Sequence, residues 1–530
     1  MKKPGFIIIL FWALLSIQGI AQNRWMQVYH DEDDAPKLFL TESYDHGYLI
    51  MGKIHWAYPK YNWLIKTDIN GSVLWEKTLG DGNDGIGIYG LELNNEKDLY
   101  LIGRRSLVGD YPDPMIIKLN KCGEKEWCKI YPSPGYQDYM RGLCVTKDGG
   151  CATIMLGESL IDKDYLVRFS REGELLWMYY YPPTTGQTGM EHTTNLILTP
   201  DDGFLMTGFC YYANPWDTLG YLSPYYIKTD SLGNFEWELV AGLHPNNIGG
   251  EAHTTVIGPD STYFYSSISH YYRHGIGNAP GLLKMDMNGQ MDTVYDLKPP
   301  GYKGILDDAR FISDSTLAAS ASWEGTAAPK AVIIDTMGHI LYEQDLVDEM
   351  YMASVRVTFD KKALFYTMKY FDNEDQWDTY LFKLNQHLES DTLYTYPFKY
   401  DTLCPKPIAS DTIVPDDCGL IVGTTEWPAI NTTSNTTDAL EVFPNPARDE
   451  INCLVHRSFP SSAEAYGGGS SEGGSINLYD IWGRLIESVK IPSGQSQIRI
   501  DVSDYPPGVY FVVLKDEEKV LGRKKVVVCD

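Results

Sequence analysis

Two groups of side chains have the types and placement to do chemistry. One is a set of aromatic and cationic residues on long connections: Trp56, Tyr58, Trp216, Tyr271, Tyr272, Arg273, His274 and Trp377. Exposed rings of this kind stack on sugars or anchor peptides. The other is Arg141, His192, His253, Arg310 and Arg356, each at or near the start of a predicted strand. Gathered at one opening, they would form a cationic mouth suited to an anionic ligand. Metal chemistry has less basis. No CxxC and no Cys/His pair stands at ligand spacing, and Asp68 with Asn70 falls short of the six or more oxygens that calcium takes. No cofactor is expected. There is no G-x-S-x-G, no H-E-x-x-H and no phosphate-cradling glycine loop. Carboxylates are plentiful enough for a paired general acid and base, but no spacing selects a pair, so catalysis is left open.

The elements that must position these residues come from a repeat. Ile65-Lys66-Thr67-Asp68-Ile69-Asn70-Gly71-Ser72-Val73-Leu74-Trp75 is its first copy. Lys118 with Gly123 and Trp127, Arg168 with Gly173 and Trp177, and Lys228 with Gly233 and Trp237 follow. In these four the cation-to-Gly step is five and the Gly-to-Trp step is four. Lys284 with Gly289 and Thr293, Asp335 with Gly338 and Tyr342, and Lys383 with Asn385 and Leu388 continue the series at a mean period of about 53 residues. Asx plus Gly supply the positive φ of a tight hairpin. A second hairpin precedes each copy, with turns such as Asp45-His46-Gly47 and Asp148-Gly149-Gly150.

Each unit therefore predicts four short antiparallel strands, a to d. The expected fold of residues 22–398 is all-β, a seven-bladed β-propeller with four-stranded blades, in which stacking buries both faces of each sheet. Trp25-Met26-Gln27-Val28-Tyr29 reads as a d strand lacking its a, b and c, and should complete the last blade. The stretch around Thr392-Leu393-Tyr394 competes for that place, and eight blades or an open stack remain alternatives. The a–b and c–d connections are tight, whereas the d–a and b–c connections are long and share one end of the ring. Recognition is expected on that face. The Asp–Gly–Trp spacing resembles the repeat of quinoprotein dehydrogenases and, more loosely, the aspartate boxes of sialidases. A Trp that recurs with the blade reads better as a packing residue between blades.

Composition bounds the partners. The 530 residues carry 44 Lys plus Arg against 71 Asp plus Glu, a net charge of −27. Phosphate neutralisation and adhesion to anionic membranes both need clustered cations, so neither nucleic acid nor a membrane surface is an expected partner. Met1-Lys2-Lys3, the apolar run Phe6 to Ile20 and Ala21 before Gln22 predict an export signal over residues 1–21, with no transmembrane segment in the mature chain. Nine cysteines fit an exported protein. Cys144 with Cys151, Cys122 with Cys128, Cys404 with Cys418 and Cys453 with Cys529 are possible pairs, with free thiols as the alternative and Cys210 left over.

Residues 399–438 are rich in Asp, Thr, Pro and Ser and read as a linker. Asp391-Thr392-Leu393, Asp401-Thr402-Leu403 and Asp411-Thr412-Ile413 within and beside it resemble the O-glycosylation sequon of Bacteroidota. From 439 to 530 the strands Glu450-Ile451-Asn452-Cys453-Leu454, Ile476 to Ile486, Ile498 to Val502, Val509 to Leu514 and Lys524 to Val528 predict a small antiparallel β-sandwich. Its Pro444-Asn445-Pro446-Ala447 opening, Tyr479-Asp480 before Gly483-Arg484, Gly508-Val509-Tyr510-Phe511 and the Lys524-Lys525-valine end closely resemble the type A C-terminal sorting domain of the type IX secretion system. The Ser461 to Ser475 insertion and Cys529 depart from that pattern. The resemblance implies the type IX machinery as a partner and a secreted or surface-attached protein. The body would then meet an extracellular ligand, a polysaccharide or a protein, or act on a polysaccharide as a hydrolase or lyase.

Overall fold

The computed structural model describes residues 25–31, 39–54, 61–80, 85–105, 112–131, 138–157, 163–181, 192–212, 221–243, 249–272, 276–299, 302–323, 329–346, 353–371, 376–421, 440–444, 447–455, 474–479, 485–492, 495–506, 508–516 and 519–528. They fall into two compact units, Met1–Ile421 and Val422–Asp530. No α-helix occurs among them, and no helix is long and apolar enough to cross a membrane.

The first unit holds seven antiparallel meander sheets among the described residues. β1 is Met26–Asp31. The first sheet is β2 (Phe39–Glu42), β3 (Tyr48–Ile54), β4 (Tyr61–Thr67) and β5 (Val73–Leu79). The second is β6 (Gly87–Leu93), β7 (Leu99–Arg105), β8 (Asp113–Leu119) and β9 (Lys125–Ile130). The third is β10 (Tyr139–Val145), β11 (Cys151–Gly157), β12 (Lys163–Phe169) and β13 (Leu175–Tyr180). The fourth is β14 (His192–Leu198), β15 (Phe204–Tyr212), β16 (Tyr221–Thr229) and β17 (Phe235–Val240). The fifth is β18 (Gly249–Ile257), β19 (Tyr263–Tyr272), β20 (Ile276–Asp286) and β21 (Met291–Asp296). The sixth is β22 (Gly304–Phe311), β23 (Thr316–Trp323), β24 (Lys330–Asp335) and β25 (Ile340–Asp345). The seventh is β26 (Ser354–Val357), β27 (Ala363–Phe371) and β28 (Gln376–Leu384), and β1 is its fourth strand, antiparallel to β28.

Local chemistry makes these hairpins. In the c–d turns an Asx or Ser side chain accepts backbone N–H groups two and four residues on, as Asp68 does from Asn70 at 2.8 Å and Ser72 at 2.7 Å. The register slips by one residue beside these turns in the first six sheets, and each turn holds a left-handed residue, Gly71 at φ 84° or Leu388 at φ 63°. Asp68 and Asn70 are thus turn formers.

The recurring tryptophans pack between sheets. The Trp127 indole N–H donates to the Arg171 carbonyl of the next sheet's turn at 3.0 Å, and that of Trp237 to the Met287 carbonyl at 3.1 Å. A Cβ on Gly289 would lie 2.5 Å from the Trp237 ring, and φ there is +77°, so this turn requires glycine twice over. The same contact ties the seventh sheet to the first. Trp25 Nε1 donates to the Ile69 carbonyl at 3.0 Å and the Tyr29 hydroxyl to that of Gly71 at 2.6 Å. Trp25, Tyr29, Leu364, Tyr366 and Leu381 share one core with Leu40, Tyr48, Ile50 and Ile65.

The repeat's cation is buried and paired. Lys66 donates to Asp45, Lys118 to Asp98 at 3.0 Å, Arg168 to Asp148 at 2.6 Å, Lys228 to Asp201 at 2.8 Å and Lys383 to Asp360 at 3.3 Å. Each link joins a c strand to the a–b turn of its own sheet. Burial and the neighbouring charge oppose each other at Asp45, where the Lys66 ammonium wins and holds the carboxyl below its ordinary range.

Residues 399–421, expected to be linker, belong to this unit as a strap on its outer edge. β29 (Asp411–Ile413) adds parallel to β5, and β30 (Gly419–Leu420) adds parallel to β9. Disulfides Cys122–Cys404 and Cys128–Cys418 fasten the strap to the second sheet. The expected local pairs Cys122 with Cys128 and Cys404 with Cys418 are therefore corrected, because the strap brings a distant partner to each. Cys144, Cys151, Cys210 and Cys453 are free thiols, and Cys529 lies outside the described residues.

The second unit has two sheets. One is β31 (Leu440–Phe443), β32 (Glu450–Val455) and β35 (Gln497–Asp501). The other is β33 (Ser475–Tyr479), β34 (Leu485–Lys490), β36 (Gly508–Asp516) and β37 (Lys519–Val528). Ile451, Cys453 and Ile500 from one share a core with Ile476, Val512 and Val526 from the other. The insertion after Ser461 lies largely outside the described residues.

Asp45→Ala leaves Lys66 buried without its partner. Urea denaturation should show a loss of about 3–5 kcal/mol, and Asp45→Ala with Lys66→Met together should recover most of it.

Candidate functional site

The a strands carry an irregularity that the sequence reading did not foresee. Pairing with the b strand slips by one residue at Tyr89 in β6, Gly142 in β10, Thr194 in β14, His253–Thr254 in β18 and Asp307 in β22. Each slip falls four or five residues before the residue that opens the a–b turn. A bulge bends a strand and re-aims its side chains. At this level Tyr89, Arg141, Thr194, His253 and Asp307 are partly exposed, while Ile88, Met140, Thr193, Ala252 and Leu306 beside them are buried. The a strands thus bring a tyrosine, an arginine, a threonine, a histidine and an aspartate to equivalent positions on five successive sheets.

Their surroundings set their charges. Burial pushes the His253 imidazole down to about 4, and its Nε2 lies 3.1 Å from the Ser269 hydroxyl. The ring is neutral at physiological pH. Burial, and then the neighbouring Asp308 charge, push the Asp307 carboxyl up to about 7. Its Oδ2 has no hydrogen-bond partner. Glu251, at the start of β18, is also raised by burial.

Nearer the a–b turns lies an ion network. Asp308 takes Arg310 at 3.1 Å and Arg356 at 3.2 Å. Burial raises the Glu92 carboxyl, and Arg356 and Arg310 pull it back. Glu92 belongs to the second sheet, Arg310 to the sixth and Arg356 to the seventh.

These placements correct the cationic mouth. Arg310 and Arg356 do meet, but Asp308 and Glu92 balance them. His253 is uncharged. His192 sits at the first residue of β14 with its ring 5.6 Å from that of Phe209. Arg141 stands apart from that network, with its guanidinium 4.9 Å from the Tyr139 ring. Tyr139 lies 5.3 Å from Tyr89, and the Arg104 guanidinium lies 5.6 Å from Tyr89. Burial raises the Tyr89 phenol, with Arg104 opposing, so it remains a donor.

Of the loop aromatics and cations, Trp56, Tyr58, Trp216, Arg273 and His274 lie outside the described residues. Tyr271 and Tyr272 are at the end of β19, paired with Asn278 and Ile276, so the expected loop from His270 to Pro280 is mostly strand. Trp377 is likewise in β28, opposite Asp31 and Tyr370. Sequence reasoning missed Tyr89, Glu92, Arg104, Tyr139, Asp307 and Asp308. Counting back five residues from the residue that opens each a–b turn picks out Tyr89 and Asp307, and counting back two picks out Glu92. No cluster of His, Cys, Asp or Glu able to hold a metal occurs among the described residues.

No curated protein sequence matches the chain. Among solved structures, a polysaccharide lyase described as a PL25 ulvan lyase is similar at 7% identity and TM-score 0.47, covering 68% of this chain and 96% of its own. Extracellular domains 1-2 of Drosophila Semaphorin 1a give 9% identity and TM-score 0.42, over 64% and 85%. The Dos1 propeller gives 10% and 0.36, over 85% and 93%. Scores at this level carry no argument about a site or an activity. Residues 441–529 match the family model of the secretion system C-terminal sorting domain. The second unit is thus a sorting domain of the type IX secretion system, and the protein that carries it is secreted or attached to the cell surface.

Proposed function

We propose that the first unit is a closed seven-bladed β-propeller that binds an extracellular ligand, a polysaccharide or a protein, at the end of its axis where the d–a and b–c connections gather. The observation that carries this reading is the contact between the two ends of the series: the seventh and first sheets share one core, with Trp25 donating to the Ile69 carbonyl and Tyr29 to that of Gly71. Asp308 of the sixth sheet takes Arg356 of the seventh at 3.2 Å, which continues the same series of neighbours. A row of sheets whose last member packs on its first supports closure around a common axis. Above the ion network, the layer holding Tyr89, Arg141, Thr194, His253 and Asp307 offers polar groups towards the loop-rich end, which suits a hydroxyl-rich or charged ligand. Residues 1–21 act as a cleaved leader and residues 439–530 as the type IX address. N-terminal sequencing of the secreted protein should begin near Gln22. The purified secreted protein should retain one class of ligand on combined glycan and protein arrays, and His253→Ala should weaken that retention; silence on both arrays rejects the reading.

One observation favours a second reading, a polysaccharide hydrolase or lyase on the same scaffold. Asp307 keeps a carboxyl near neutral pH with one oxygen unengaged, as a general acid or base requires. Its folded value lies above the unfolded one, so the folded state holds the extra proton and stability falls as pH rises from about 4 to 7. Asp307→Asn should remove that fall. Thermal melting should find the variant more stable than the parent at pH 8 and little changed at pH 4. If the second reading holds, Asp307→Asn also abolishes depolymerisation of a polysaccharide panel.

A further inference from the structure

We propose that the Arg104–Tyr89–Tyr139–Arg141 row is a subsite for an acidic saccharide, one bearing carboxylate or sulfate groups. This rests on the ligand-binding reading above and names the ligand class. The row crosses from the second sheet to the third at the starts of their a strands. Its guanidiniums lie 5.6 Å and 4.9 Å from the two phenol rings, which themselves stand 5.3 Å apart. All four side chains are partly exposed.

Three facts separate this row from ordinary surface polarity. First, neither guanidinium has a carboxylate partner among the described residues, although the chain carries a net charge of −27. Arg168, Arg171, Arg310 and Arg356 of the same unit are each paired with one. Second, the aromatic rings hold the guanidiniums in place, which lowers the ordering cost of a bidentate contact to a carboxylate or sulfate. Third, Tyr89 sits at the β6 bulge, which re-aims its side chain from the sheet's regular alternation. The row holds guanidinium and phenol groups and no aliphatic one. It suits a hydroxylated, charged chain better than a peptide, which needs an apolar anchor. Burial raises the Tyr89 phenol, with Arg104 opposing, so it stays protonated beside the two guanidiniums.

The test uses the purified secreted protein in titrations with oligogalacturonate, dextran sulfate, neutral dextran and polyglutamate. At least one acidic saccharide should bind, more weakly as salt rises, and neutral dextran should not. Which of the first two binds tells carboxylate from sulfate. Arg104→Gln and Arg141→Gln should each weaken binding about tenfold, and together remove it, with the melting temperature unchanged. Lys406→Gln, exposed and far along the chain, serves as the control and should bind like the parent. The inference is overturned if no acidic saccharide binds, if neutral dextran binds equally, if only polyglutamate binds, or if both arginine variants bind like the parent. A ligand whose binding is lost in His253→Ala but untouched in the arginine variants would leave the axial reading standing and remove this one.

Discussion

The buried cation of the c strand, tied to the aspartate of its own a–b turn, is the constraint on which the body rests. Lys66, Lys118, Arg168, Lys228 and Lys383 are 5% exposed or less. An unpaired charge at that depth would cost several kcal/mol, so each strand and its turn must arrive together. The link therefore fixes where the a–b turn sits against the c strand, and with it the register of three strands. Two sheets depart from this link: in the fifth, Lys284 pairs instead with Asp292 of the d strand at 3.0 Å, and the sixth lacks the cation. Ile333 occupies the cation's place and is buried there, and Ser313 closes the a–b turn through its own hydroxyl instead. The cation alone is missing there: Asp314 keeps the aspartate's place in that turn and lies exposed.

From that register the inner strands follow. Five of the a strands reach their turn after one bulge, so residues at equal distance from the turn take equivalent places on those sheets. The deeper level holds Glu92, Arg310 and Arg356, and neutralises itself. The level above holds groups of mixed character, with a neutral His253 and an Asp307 whose carboxyl titrates near neutrality.

Much of this was legible in the sequence, for a physical reason. Tight hairpins demand Asx and left-handed residues at set positions, so the repeat, the strand count and the role of Trp25 as a strand without its neighbours could all be read. The tryptophans were legible as packing because they recur with the turn they contact. The strap was not. Its Asp, Thr and Pro content is that of a linker, and only the distant Cys122 and Cys128 reveal that it docks. The site was legible in part. Arg141, His192 and His253 were singled out by their place at or near strand starts, yet their charges depend on what burial and neighbours do, and sequence alone does not show those neighbours. Tyr89 and Asp307 stayed hidden because a bulge leaves no mark in hydrophobic alternation.

The strap also decides where mechanical load goes. The last described residue of the body, Ile421, follows Cys418 by three positions and is itself buried against the second and third sheets. Tension applied to the tail during transit would end in a covalent bond to Cys128 and would not peel β1 or the seventh sheet. The seam that holds the two ends of the body together is thereby placed off the line of pull.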